Sequence, residues 1–238
     1  MARGNPDYFT KTMGESERGY PISPAVIPHI WLKDDFESPN LKWYRNQGTV
    51  TLTTKTGFDN TDSEVITGDC SLRITSPVGN PIQVRFDYAP PVIQGKVGFA
   101  YKFYVFDYTH LESDFEHSRF MQFLIRSGDW RYDAMIVYYP DTYKWYLSED
   151  AGTTWINFLT FRLRSTSYST LKLVVDFTTA KYDKFFIDGT EVDISAYSLN
   201  KEANATGMIG RFFIDIQGTG GEQADMLIDD FTITTFEP

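Results

Sequence analysis

Two runs near the middle of the chain alternate between apolar and polar or small side chains. Residues 82–88 read IQVRFDY, and residues 97–105 read VGFAYKFYV, with bulky apolar side chains at every second position. Successive side chains of a β-strand point to opposite faces, so a period of two predicts strands that bury one face. A chain with such runs has to build its core between sheets.

Short runs of this kind, separated by turn residues, continue from His29 to the end of the sequence, and helix signals are almost absent. The Asp188-Gly189 pair between two runs predicts a two-residue hairpin, because a type I′ turn needs positive φ. The segment 195–206 is the longest candidate for a short helix or a loop. Further strands are predicted at 119–126, 131–139, 143–148, 155–164, 171–177, 182–188, 208–216 and 226–234.

A dozen or more strands are enough for two stacked sheets, so the sequence predicts an all-β fold, an antiparallel two-sheet β-sandwich. Residues 1–28 show no periodicity and contain four prolines and three glycines, which block regular structure. We therefore expect an extended N-terminal arm over residues 1–28 and one sandwich domain over residues 29–238.

The charge of the chain restricts its partners. A formal net charge of −10 opposes nucleic acid and anionic membranes, because affinity for phosphate rests on lysine and arginine. No apolar run is long enough to span a bilayer, and the first residues lack the apolar region of a secretory signal. We expect a protein made in the cytoplasm without a signal peptide, and its single cysteine, Cys70, excludes an internal disulfide.

Three segments resemble the ends of jelly-roll carbohydrate-binding modules and of concanavalin A-like lectin and glucanase domains. They are KDDFESPNLKW at 33–43, GDCSLRI at 68–74 and MLIDDFTIT at 226–234. In such domains the first and last strands lie side by side, and some members hold a structural calcium ion there. The resemblance implies that four acids lie close together, where they either bind calcium or cap strand ends and face solvent: Asp35, Glu37, Asp229 and Asp230.

Two more segments resemble known patterns. Residues 171–194 are similar to neighbouring hairpins of laminin G-like domains. Residues 148–155, SEDAGTTW, match the Asp-box pattern S-x-D-x-G-x-T-W, in which the aspartate accepts backbone N–H bonds across a tight turn and the tryptophan packs on the returning strand. The matching residues are Ser148, Asp150, Gly152, Thr154 and Trp155. A single box without a repeat of propeller length excludes a sialidase and leaves a structural role.

One acidic segment could carry catalysis. Glu112, Asp114 and Glu116 match the E-x-D-x-E pattern of retaining glucanases on a concanavalin A-like fold, in which Glu112 would be the nucleophile and Glu116 the acid. The surrounding sequence, DYTHLESDFEHS, is more typical of a charged loop than of a buried strand. We therefore expect no catalytic activity and keep a glucanase as an alternative.

Aromatic residues make up 16% of the chain, and several lie two apart in the predicted strands 131–139 and 143–148. Aromatic side chains on one sheet face can stack on sugar rings or bind a protein partner, and they can equally fill a large core. The residues predicted to contact a glycan or partner are Trp130, Tyr132, Tyr139, Tyr143 and Trp145.

Together these features favour a non-catalytic structural or adhesion protein. An unsecreted chain with a fold typical of extracellular proteins and an irregular arm fits a virion accessory component, such as a capsid decoration or tail protein of a tailed phage. We expect residues 1–28 to bind other subunits in a homo-oligomer or larger assembly, and the sandwich to face outward at the virion surface, toward cell-surface glycans. The alternative is a free glycan-binding module.

Overall fold

A computed structural model shows two stacked β-sheets. It describes residues 29–37, 43–45, 49–54, 70–88, 95–107, 111, 119–127, 129–164, 167–203, 209–219, 221–235 and 237. The strands are β1 His29–Asp34, β2 Trp43–Arg45, β3 Thr49–Thr54, β4 Cys70–Thr75, β5 Ile82–Tyr88, β6 Lys96–Val105, β7 Arg119–Ser127, β8 Trp130–Tyr139, β9 Lys144–Ser148, β10 Trp155–Thr160, β11 Ser169–Asp176, β12 Lys181–Ile187, β13 Thr190–Asp193, β14 Asn200–Ala203, β15 Ile209–Ile216 and β16 Asp225–Thr235.

Each sheet has eight antiparallel strands. Sheet A has the order β13-β12-β11-β6-β16-β4-β3, and β1 also pairs with β16. Sheet B has the order β10-β9-β8-β7-β15-β5-β2, and β14 also pairs with β8. The predicted two-sheet antiparallel sandwich is confirmed. The arm at 1–28 lies outside the described residues, so the predicted division into arm and domain stays a prediction.

The alternation in the sequence decides which side chains lie between the sheets. In β5 the burial of successive residues alternates, with the apolar members buried and the polar members partly exposed. Two tryptophans lie in the centre of the core. Trp43 packs against Phe86, Phe212 and Phe231, and Trp145 packs against Phe120, Tyr138 and Phe185.

The hairpin at Asp188-Gly189 has the geometry that the sequence predicts. Ile187 pairs with Thr190, and the two residues between them have φ of 47° and 81°, so both central positions are left-handed as a type I′ turn requires. The segment 195–206 differs from the prediction of a helix or loop. It contributes β14, whose four residues pair with Trp130–Asp133 of β8. A strand of four mostly exposed residues is too short to show the alternation of apolar and polar side chains that would predict it.

No helix that could span a bilayer is present in the part of the chain that the structure describes.

Candidate functional site

The five predicted contact residues do not form one surface. Tyr132 and Trp145 belong to the hydrophobic core, and Trp145 has no exposed surface at all. The prediction that these two residues bind a ligand is therefore wrong. Their spacing of two from other aromatics places them on the face of the strand that the opposite sheet covers.

The other three aromatics lie at two ends of β8. Trp130 is 43% exposed at the first residue of the strand, and the Nζ atom of Lys201 lies 4.2 Å from its ring centroid. Tyr139 is the last residue of the strand. Tyr143 follows in the turn, and the Arg162 guanidinium lies 5.0 Å from the centroid of the Tyr143 ring. Nine residues of strand separate Trp130 from Tyr139, which is about 30 Å. A single sugar ring cannot contact both.

The SEDAGTTW segment forms the tight turn between β9 and β10. The carboxylate of Asp150 accepts hydrogen bonds from the Thr154 N–H at 2.6 Å and the Ser148 hydroxyl at 3.0 Å. These bonds, chiefly those from Thr154, hold the pKa of Asp150 below its ordinary value. Gly152 has φ of 97° and packs against the Trp155 indole, since a Cβ there would lie 3.5 Å from Trp155 Cζ2. Asp150 and Gly152 have the geometry that a tight turn requires, and the Asp-box assignment stays a prediction.

This turn is also tied to the other sheet. The Tyr182 hydroxyl of β12 donates to the Ser148 carbonyl at 2.8 Å and accepts from the Met135 N–H at 3.0 Å. Met135 lies between the part of β8 that pairs with β9 and the part that pairs with β14. The phenol therefore supplies a hydrogen bond at a position of β8 that neither β9 nor β14 reaches.

The four predicted calcium ligands lie around the contact of the first and last strands, as the resemblance implies. Asp34 at the end of β1 pairs with Phe231 of β16. Asp230 binds the ammonium of Lys102 at 2.8 Å and that of Lys33 at 3.6 Å, and Lys33 also binds Asp35 at 3.2 Å.

The other two acids accept hydrogen bonds from the neighbouring strand. Glu37 accepts from the Cys70 N–H, and the buried Asp229 accepts from the Ser71 hydroxyl at 2.9 Å. Among the described residues no group of three or more acidic, histidine or cysteine side chains has a metal-binding arrangement. Calcium at these four acids stays a prediction.

The predicted glucanase residues Glu112, Asp114 and Glu116 lie outside the described residues. The neighbouring residue Leu111 is buried and forms a bridge with Gly218.

A face rich in polar residues that was not predicted from the sequence lies on the outward side of sheet B. Its centre is buried, and the buried members are Gln122, Leu124, Asp133, Met135, Val137, Phe213 and Asp215. We call it the outer face of sheet B, and it consists of the side chains of β5, β15, β7, β8 and β9 that point away from the core. The strand register places these side chains in rows, because opposed residues share a face. Its members are Gln83, Arg85, Asp87, Arg211, Phe213, Asp215, Gln122, Leu124, Arg126, Arg131, Asp133, Met135, Val137, Tyr139, Lys144 and Tyr146.

Bonds between neighbouring strands fix several of these side chains. Asp133, only 1% exposed, accepts from the Gln122 amide at 3.2 Å and from the Arg131 guanidinium at 2.6 Å. Removal from water raises the pKa of Asp133, and the two hydrogen bonds oppose that shift. A charged group buried on the outward side of a sheet is unusual for a purely structural surface.

An aromatic pair lies at the β9 end of the same face. The Tyr139 and Tyr146 ring centroids are 5.2 Å apart, with the rings tilted at 59°. Both rings are partly exposed. Of the five aromatics chosen from the sequence, Tyr139 alone lies on the outer face of sheet B. Its partner Tyr146 was missed because it lies one residue from Trp145, and the sequence does not tell which of two adjacent aromatics faces the core.

Comparison with known proteins gives neighbours in structure. No family model matches the chain, and no curated protein matches it in sequence. A conserved carbohydrate esterase from the Shiga toxin-encoding bacteriophage phi24B has a TM-score of 0.54 and 14% identity, over 89% of this chain and all of that chain.

Two carbohydrate-binding modules are also similar. CBM66 from Bacillus subtilis has a TM-score of 0.41 and 12% identity, over 82% of this chain and 96% of that chain. The CBM22-1 xylan-binding domain from Paenibacillus barcinonensis has a TM-score of 0.40 and 11% identity, over 90% and 99%. The likeness to the esterase, at 14% identity, shows a shared fold and no more.

Proposed function

We propose that this protein is a non-catalytic glycan-binding module that holds its ligand on the outer face of sheet B. The observation that carries the proposal is the row of polar side chains on that face, fixed by bonds between strands and within a strand, such as those of Asp133 to Gln122 and to Arg131. Sugars are recognised by fixed polar groups that bind hydroxyls, next to aromatic rings that stack on the apolar side of a pyranose. The outer face of sheet B has both.

Preorganisation supports this assignment. A side chain that is already held by its neighbours loses little conformational entropy when a ligand binds, so more of the contact energy appears as affinity. Gln122 of β7 and Arg131 of β8 both bind the Asp133 carboxylate. Arg85 and Arg211 approach the same oxygen of Asp87 at 3.0 and 3.3 Å. The polar groups of this face are thus positioned without a ligand.

Binding of the full chain to an array of neutral and acidic glycans tests the proposal. In the Tyr139→Ala and Tyr146→Ala variants we expect about tenfold weaker binding of a retained glycan, as for the loss of an aromatic contact at an interface. Tyr168→Ala is the matched control, because Tyr168 is also exposed but lies by Lys102 of sheet A. Retention of no glycan, or an equal loss in all three variants, would overturn the proposal.

Catalysis is tested on the same glycans. We expect no new reducing ends after incubation with the protein. If cleavage occurs and Glu112→Gln or Glu116→Gln abolishes it, the glucanase alternative replaces the present proposal.

The predicted role as a virion accessory protein rests on residues 1–28, outside the described part, and stays a prediction. It is compatible with glycan binding by the sandwich. The mass in solution of the full chain, compared with a chain starting at His29, tests whether the arm joins subunits.

A further inference from the structure

Four arginines form a row across the outer face of sheet B. Adjacent strands β5, β15, β7 and β8 each contribute one: Arg85, Arg211, Arg126 and Arg131. Arg211 is opposite Asp87, so Arg85 is its diagonal neighbour on β5. On the other side Arg211 is opposite Leu124, which makes Arg126 its diagonal neighbour on β7. We call these residues the arginine row.

The last two residues of the row are positively charged and directly opposite each other. Arg126 is opposite Arg131 in the β7–β8 ladder, where Cβ atoms are about 5 Å apart and like charges destabilise the pair. Acids balance part of this charge, since Asp133 binds Arg131 and Asp87 lies against both Arg85 and Arg211.

Arginine is concentrated in this region, although acidic residues predominate in the whole protein. Four arginines and three aspartates occupy the outward positions of β5, β15, β7 and β8, whereas the whole chain has 22 basic and 32 acidic residues. Glu202 of β14 is opposite Arg131 and lies 3.7 Å from its guanidinium, so four acids accompany the four arginines. The side chains of Arg85, Arg131 and Arg211 are partly accessible, at 37%, 31% and 29% exposed, although their Nε atoms are buried.

The spacing of the row fits a chain of sugars. Two steps of the row are diagonal, about 7–8 Å each, and the last joins directly opposed residues about 5 Å apart, so the row follows a path of about 20 Å across four strands. A path of this length extends over several pyranose units, so the row can contact an extended oligosaccharide. A guanidinium group binds a carboxylate through two parallel, charge-assisted hydrogen bonds, which are stronger than those it forms with the hydroxyls of a neutral sugar.

From this arrangement we infer that the ligand is an acidic glycan, a chain of uronic acid units that lies across the strands with its carboxylates on the arginine row. The small net charge of the row favours one carboxylate per sugar ring, because a densely sulfated polymer would meet Asp87, Asp133 and Asp215 on the same face. This inference rests on the proposed function and adds the substrate class.

Calorimetric titration of the full chain with oligogalacturonate tests the inference. The comparison ligands are the same oligomer with its carboxylates reduced to alcohols, and heparin as a densely sulfated glycan. We expect binding of oligogalacturonate that weakens with salt, at least tenfold weaker binding of the reduced oligomer, and weaker binding of heparin.

Variants locate the contact. Arg211→Gln and Arg126→Gln should each weaken oligogalacturonate binding about tenfold, as expected for the loss of a hydrogen bond between charged groups. Arg211→Lys keeps the charge without the planar group and should restore less than half of the lost binding free energy. Arg164→Gln removes an exposed arginine outside the row and should bind like the unchanged protein. Thermal unfolding of each variant verifies that it is folded.

The outcomes separate this inference from the proposed function. Equal binding of the native and reduced oligomers, or no loss in the arginine variants, overturns the acidic ligand and leaves glycan binding intact. Tighter binding of heparin than of oligogalacturonate overturns the uronic acid assignment. Retention of no glycan on the array overturns both proposals.

Discussion

The buried hydroxyl of Tyr182 offers the sharpest test of how the two sheets are joined. In the Tyr182→Phe variant the ring still fills its place in the core, but the Met135 N–H and the Ser148 carbonyl both lose a hydrogen bond partner. Each buried group left without a partner costs about 1–3 kcal/mol. The substitution also removes the buried hydroxyl, whose own burial is unfavourable, and this offsets part of the loss. We therefore expect the free energy of unfolding to fall by about 2–4 kcal/mol.

Urea unfolding measures this loss, and thermal unfolding should show a Tm lower by roughly 4–16 °C. Hydrogen exchange adds a local measure, because the Met135 amide should exchange faster in the variant. Tyr168→Phe, which removes a hydroxyl from a half-exposed ring, is the control and should change little. A loss below about 0.5 kcal/mol for Tyr182→Phe would refute the argument, since that is the range of ordinary surface substitutions.

The pH dependence adds a second measure of the same group. Burial raises the pKa of the Tyr182 hydroxyl above its ordinary value. The unfolded state therefore ionises first, and stability falls as pH rises above about 10. The Tyr182→Phe variant should lose this part of the alkaline destabilisation.

Two other substitutions have clear expected effects. Asp150→Asn should lower Tm near neutral pH, because the charged carboxylate of Asp150 accepts a hydrogen bond from Thr154. The pKa of Asp150 is lowered in the folded state. The difference in Tm between the variant and the unchanged protein should therefore shrink as pH falls through that pKa. A difference in Tm that is constant with pH would contradict this. Gly210→Ala should lower the free energy of unfolding in urea by about 1–3 kcal/mol, because the added Cβ would overlap the Tyr88 ring. Adding Tyr88→Leu to this variant should recover part of the lost stability.

Features that depend on local sequence could be predicted, and features that depend on strand order could not. The Asp-Gly hairpin and the turn around Asp150 are set by residues within eight positions of one another, and both have the predicted geometry. The alternation at 82–88 likewise gave the correct buried face.

The assignment of exposed aromatics failed for a different reason. Trp145 and Tyr146 are neighbours in one strand, and only the position of Phe185 in the opposite sheet decides that the tryptophan is buried. The arginine row is even less local, because its members lie between residues 85 and 211 and meet only through the order β5-β15-β7-β8. No pattern within a single strand reveals such a row.

The position of β16 has a consequence for how the chain reaches its native state. β16 pairs with β6 on one side and with β1 and β4 on the other, and β1 has no other partner among the described strands. Until β16 has been synthesised, the strands β3–β4 and β6–β11–β12–β13 form separate pieces with open edges. Long-range pairings of this kind slow folding, and open strand edges promote association between chains. Nascent chains that stop before Asp225 should therefore aggregate, and the rate at which translation delivers β16 should influence the yield of folded protein.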